Sequence, residues 1–215
     1  PEVTISELTP RKRRFFLKYL ARFLLLFESV KAKGSFLDNK RVVVTAAPHQ
    51  SGKDEYLMIL MILALDIDVC YLSAKWTMRR IPIPFINPKD IDNQGIPWPL
   101  GWLQEIVFRK FGAIPVDRKG NSGQYDSVVQ ELLKRDSFLL IITPEGRFDA
   151  TRFRSSFLYL AKELKAEVMP VQIDYEHDTL QFLDSLNLDG SEEEVIQRLR
   201  SCFDGVMGRK SRFKA

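Results

Sequence analysis

Residues 42–65, VVVTAAPHQSGKDEYLMILMILAL, decide the fold. Val42–Thr45 is a run of β-branched residues with no polar alternation, the pattern of a strand covered on both faces. Asp54–Leu65 is a second apolar run, long enough for a helix and opened by an acid of the kind favoured at helix starts. Between them lies a short polar turn, Pro48-His49-Gln50-Ser51-Gly52-Lys53. A buried strand, a tight turn and a buried helix make the opening of an α/β sheet. His49 is delivered to the rim of that sheet, and Asp54 is placed where it can fold back toward it.

The rest of the chain repeats the alternation. Val69–Leu72, Ala113–Val116, Phe138–Thr143 and Val168–Ile173 read as further strands. Leu100–Phe111, Tyr125–Lys134, Ser155–Leu164 and Glu192–Met207 read as helices. Strand–helix alternation predicts an α/β fold with a central mixed or parallel sheet flanked by helices. Pro170 stands inside the last strand, which suggests an edge or a bulge there. Residues 79–97, RRIPIPFINPKDIDNQGIP, hold four prolines and no sustained period, and are expected to form a long functional loop.

At 215 residues, 45% hydrophobic and 28% charged, the chain has enough apolar residues for a real core, which excludes a disordered tail. The net charge is +4, yet residues 10–41 alone carry ten Lys or Arg against Glu28 and Asp38. The remainder is therefore slightly acidic, and the basic surplus sits at one end. Within that end, residues 11–30 have Phe16, Leu20, Phe23, Leu24 and Phe27 at three- and four-residue steps, an amphipathic N-terminal helix. It is too short and too charged for a bilayer span of ~20 apolar residues. It reads either as a core helix or as one lying in a membrane interface, with Arg11, Lys12, Arg13 and Arg14 on anionic head groups. The expected organisation is an interface helix over residues 1–34 and a catalytic domain over 35–215. Lys18 and Arg22 interrupt the apolar stretch, so it does not read as a signal peptide. Cys70 and Cys202, without metal-ligand spacing, fit a reducing compartment.

Four groups of residues can carry chemistry. A carboxylate at one nitrogen of His49 would fix the tautomer and leave the other nitrogen to accept a proton near neutral pH. Asp54 also has a purely structural reading as a helix-start acid. His177 lies in a polar stretch and reads as a solvated turn residue. Arg118, closing the strand in Gly112-Ala113-Ile114-Pro115-Val116-Asp117-Arg118, offers a planar fork suited to phosphate, or simply pairs with Asp117. Thr143-Pro144-Glu145-Gly146-Arg147 is a binding turn or a plain one, with a glycine that permits close approach. Val168-Met169-Pro170-Val171 is the fourth.

Taken in order, these elements resemble the lysophospholipid (glycerolipid) acyltransferase family. His49-x-x-x-x-Asp54 is similar to its catalytic motif, and Gly112–Arg118 to its Gly-x-Ile-x-x-Asp-Arg motif. Pro144-Glu145-Gly146 and Pro170-Val171 resemble its third and fourth motifs, and Lys75 its lysine ahead of Pro99-Leu100-Gly101-Trp102. Either Arg147, directly after Gly146, or Arg152 stands in the place of the family's arginine. The resemblance implies transfer of a fatty acyl group from acyl-CoA or acyl-carrier protein to a lyso-lipid hydroxyl, 1-acyl-glycerol 3-phosphate above all. His49 and Asp54 would be catalytic, and Lys75, Arg118, Glu145, Gly146 and Arg147 would bind the acceptor. It further implies no cofactor, no metal and no nucleic-acid partner, and a peripheral place on the cytoplasmic face of a membrane. Another lyso-lipid or glycolipid acceptor, or a catalytically silent lipid binder on the same fold, are the alternatives it leaves.

Overall fold

The computed structural model describes residues 4–5, 15–36, 40–65, 69–81, 96–116, 123–145 and 152–209. The cluster Arg11–Arg14, and Arg118, Gly146 and Arg147, lie outside them. The described residues form two compact units.

The first unit joins the two ends of the chain. It holds β1 (Thr4–Ile5), α1 (Phe15–Leu25), β2 (Lys31–Lys33), β3 (Ser35–Phe36), β4 (Arg41–Ala47) and α2 (Gly52–Ala64). The second unit, residues 70–134, holds β5 (Val69–Ala74, whose first residue belongs to the first unit), a 3-10 turn at Lys75–Met78, β6 (Arg80–Ile81) and β7 (Ile96–Pro97). It continues with α3 (Gly101–Lys110), β8 (Ala113–Val116) and α4 (Gly123–Leu133). The chain then returns to the first unit as β9 (Phe138–Ile142), α5 (Ser156–Leu164), β10 (Glu167–Asp174), β11 (Thr179–Phe182) and α6 (Glu192–Ser201).

In the first unit the sheet is mixed. β4 pairs in parallel with both β9 and β10, β10 pairs antiparallel with β11, and β11 pairs in parallel with β2. Having neighbours on both sides, β4 must bury both faces, and Val42, Val43 and Val44 are fully buried. α5 packs on this part of the sheet with Phe157, Leu160 and Leu164 buried. The α/β sheet flanked by helices is thus the architecture that the alternating pattern predicts. In the second unit β5 and β8 pair in parallel, in register from Tyr71 opposite Ala113 to Ala74 opposite Val116.

Three expectations change. Pro170 sits in no edge strand, since β10 lies between β4 and β11. Its carbonyl accepts the N–H of Leu183, just past the end of β11. The nitrogen of the same residue faces the same way, so its missing hydrogen removes no ladder bond to β4. Helix α6 ends at Ser201 rather than running to Met207. Gly205 adopts φ 76°, and the Cys202 carbonyl accepts the Gln172 side chain at 2.6 Å, so the chain turns back toward β10. The 79–97 segment is not wholly a loop: its ends pair antiparallel as β6 and β7, while residues 82–95 lie outside the described set.

α1 packs against α2. Ala21 is buried there, Arg22 Nε donates to the Ala64 carbonyl at 3.1 Å, and Lys53 pairs with Glu28 at 2.7 Å. The other side of α1 and the turn after it leave Phe16, Tyr19, Phe23, Leu26 and Phe27 exposed, Phe16 at 75% and Phe27 at 74%.

Candidate active site

β4 carries the chain through the buried middle of the sheet and releases it at Ala47. The turn that follows ends at Ser51, whose extended backbone starts α2. Asp54 is the third residue of that helix and folds back: one carboxylate oxygen, Oδ2, accepts the N–H of Ser51 and of Gln50, both at 2.7 Å. This local bond set closes the helix N-terminus in the manner of a capping box. The other oxygen, Oδ1, accepts the Ser51 hydroxyl at 3.1 Å and the Tyr175 phenol at 2.6 Å. Four donors therefore surround a carboxylate with no exposed surface. Asp54 thus caps α2 and at the same time faces His49.

His49 keeps 8% of its surface exposed. Its Nδ1 lies 3.8 Å from Asp54 Oδ2, an ion-pair distance longer than a hydrogen bond. Catalytic hydrogen bonds are often long without substrate and tighten in the substrate complex. The His49 backbone is held from a different element: its N–H donates to Glu145, at 3.1 Å to Oε1 and 3.3 Å to Oε2. Glu145 follows β9, which pairs with β4, so adjacent strand ends bring the two residues together.

Glu145 is a buried acid. Burial pushes its carboxyl from 4.5 up to about 6; the His49 N–H opposes the shift and the nearby Asp54 charge adds to it. A carboxyl raised on folding binds its proton more tightly in the native state than in the unfolded chain. The stability it contributes is therefore complete below about pH 4.5 and is lost as pH rises through about 6. A shift of this size corresponds to about 2 kcal/mol. Relative to Glu145→Gln, the wild-type protein is expected to lose that much stability between about pH 4 and about pH 7. Urea unfolding of both proteins across this range checks it, and a difference that stays constant with pH would refute it.

The remaining predicted residues are placed as follows. Lys75 opens the 3-10 turn directly after β5, in the second unit, and is exposed. Arg152 is exposed, and Glu145 is buried beside His49. Arg118, Gly146 and Arg147 lie outside the described residues. His177 is indeed an exposed turn residue: its Nδ1 is 2.6 Å from Asp174, and that carboxylate raises its pKa. Among the described residues Asp174, Glu176 and His177 bring three ligand-type atoms within 4.8 Å, but the ion pair accounts for this largely exposed turn without a metal.

Tyr175 escaped the sequence reading altogether. It sits just past β10, buried, with its N–H donating to the Met207 carbonyl at 2.9 Å. Burial, then the bond to Asp54, raises its phenol far above the usual range, so it is a donor at every working pH. The only sequence signal was a tyrosine closing an apolar strand, which core packing explains equally well.

A buried histidine with a capped carboxylate behind it can remove a proton from a hydroxyl. Comparison with known proteins bears on which reaction that serves. The family model described as Acyltransferase matches residues 99–174. The matched segment is less than half of the chain. The fold is that of the 1-acyl-sn-glycerophosphate (LPA) acyltransferase PlsC from Thermotoga maritima, a crystal structure matched with TM-score 0.54 and 20% identity over 94% of this chain and 82% of that one. No curated protein matches in sequence. The Pro144-Glu145 turn and the Met169-Pro170 strand fall inside the matched segment, and His49 and Asp54 fall before it.

Proposed function

We propose that this protein transfers a fatty acyl group from an acyl thioester to the free hydroxyl of a lysophospholipid. The favoured acceptor is 1-acyl-glycerol 3-phosphate, giving phosphatidate. The observation that carries the reading is the buried His49 with Asp54 beside its Nδ1 and four donors holding that carboxylate. With Nδ1 turned to Asp54, Nε2 takes the proton of the acceptor hydroxyl as its oxygen attacks the thioester carbonyl. Asp54 stabilises the imidazolium that forms, and the proton then passes to the thiolate as it leaves. No acyl-enzyme intermediate and no cofactor enter this scheme; acyl-CoA or acyl-carrier protein is a substrate.

Lys75 and Arg118 are assigned to the acceptor phosphate, which they would hold by charge-assisted bonds. Glu145, with Gly146 and Arg147, would shape the same region; its grip on the His49 backbone makes it a support for the base as well. Arg118→Ala is expected to weaken use of the acceptor by roughly 10–150-fold, the worth of about 1.5–3 kcal/mol for a hydrogen bond to a charged group, while donor KM stays the same. Steady-state kinetics with each substrate varied in turn decide this, and an unchanged acceptor kcat/KM would leave Arg118 as a strand-closing residue.

The reaction itself is tested with purified protein, a panel of lyso-lipids, and acyl-CoA or acyl-carrier protein as donor. Phosphatidate formed from 1-acyl-glycerol 3-phosphate and lost in His49→Ala is the expected result. No transfer to any acceptor would favour a silent lipid binder. The products are lipids, so the enzyme is placed at a membrane surface, on the cytoplasmic face, with residues 1–34 as the interface element and 35–215 as the catalytic domain. Among the described residues no helix is long and apolar enough to cross a membrane. The exposed aromatic side of α1 supports attachment without crossing.

A further inference from the structure

Asp54 cannot act on His49 unless its carboxylate stays in one orientation. The local bonds from Gln50 and Ser51 anchor Oδ2, the oxygen nearest the imidazole. Oδ1 is held by the Ser51 hydroxyl, at 3.1 Å, and by a much shorter bond from a residue 121 positions away. That residue, Tyr175, reaches Asp54 because β10 runs parallel to β4, in register up to Gln172 opposite Ala47, so the two strands end side by side. Tyr175 is pinned in turn by its N–H bond to Met207, in the segment that turns back after α6. A buried phenol and a buried carboxylate at 2.6 Å are strongly coupled, since an interior charge lacks water to replace a lost donor.

We propose that Tyr175 is a positioning residue for acyl transfer, its phenol holding the Asp54 carboxylate in the orientation that presents Oδ2 to His49. The proposal rests on the assignment of His49 and Asp54 as the catalytic pair. Tyr175 acts through Asp54, to whose carboxylate its phenol donates. Among the described residues, the charged groups that act on this cluster are Glu145, from the end of β9, and Arg209, whose charge reaches Tyr175 from beyond α6.

Removing the phenol oxygen in Tyr175→Phe keeps the ring and its packing. It is expected to lower kcat by roughly 10–150-fold, the range of a hydrogen bond to a charged group, with KM for donor and acceptor unchanged. A lost packing residue would also lower kcat, so the deciding measurement is a cycle with Asp54→Asn. If Tyr175 acts through the Asp54 charge, Tyr175→Phe has less than about a twofold effect in the Asp54→Asn background. The double variant buries neither the charge nor its donor, and thermal unfolding of all three variants separates a loss of folding from a loss of catalysis. An equal loss in both backgrounds would make Tyr175 a core residue only and overturn the proposal. So would near-wild-type kcat in Tyr175→Phe while His49→Ala and Asp54→Asn are inactive. Full activity in His49→Ala and Asp54→Asn would instead sink the assignment of the pair itself.

Discussion

His49→Ala is expected to lower turnover by ~10²–10⁴-fold, the usual worth of a positioned general base. Asp54→Asn is expected to fall in the same range, because an amide cannot stabilise the imidazolium and can present its NH₂ to the ring in place of an acceptor. The two changes differ in their cost to the fold. His49→Ala keeps the backbone N–H that Glu145 holds and leaves the bonds that open α2 in place. Asp54 accepts the Gln50 and Ser51 N–H groups that open α2, and losing such a cap costs on the order of 1 kcal/mol. Asparagine retains one acceptor oxygen and preserves most of that cap. Initial rates of thioester consumption, measured beside thermal unfolding of each variant, separate catalysis from folding. Near-wild-type turnover in His49→Ala would remove general-base catalysis from the account.

The second large effect concerns the membrane. α1 presents Phe16, Tyr19, Phe23, Leu26 and Phe27 away from its contact with α2. Placing an exposed aromatic ring in the acyl boundary is worth up to ~1.5–3 kcal/mol. The Arg11–Arg14 cluster in the sequence just before it adds about 1 kcal/mol per base near an anionic surface. Deleting the whole helix would also strip the covering from α2, so the cleaner variant is Phe16→Ser/Phe23→Ser/Phe27→Ser, which removes only exposed rings. The wild-type protein is expected to float with anionic liposomes, to bind more weakly in high salt, and still to float there. The triple variant is expected to lose at least ~100-fold in partition, equivalent to about 3 kcal/mol. Equal flotation of the two proteins would show that α1 serves the fold and not the membrane.

Much of this protein was legible in one dimension. The strand at β4 and the helix at α2 follow from a buried β-branched run and a long apolar run, and the residues between them place His49 and Asp54 on one strand–turn–helix. That pair is local, six residues of chain from end to end, so sequence spacing alone brings it together. The Asp54 cap is local for the same reason. What the sequence could not determine depends on which strands end side by side. Glu145 meets His49 across 96 residues, and Tyr175 meets Asp54 across 121, because β9, β4 and β10 lie next to one another in the sheet. Strand order is a property of the packed sheet and leaves no periodic mark on the chain. The same holds for Pro170, whose missing N–H is tolerated in an interior strand because its nitrogen faces away from β4, toward the chain leaving β11. It holds for α1 as well: its repeat of apolar residues shows that the helix has an apolar side, but only the packing of Ala21 toward α2 decides which of its aromatics are left facing outward.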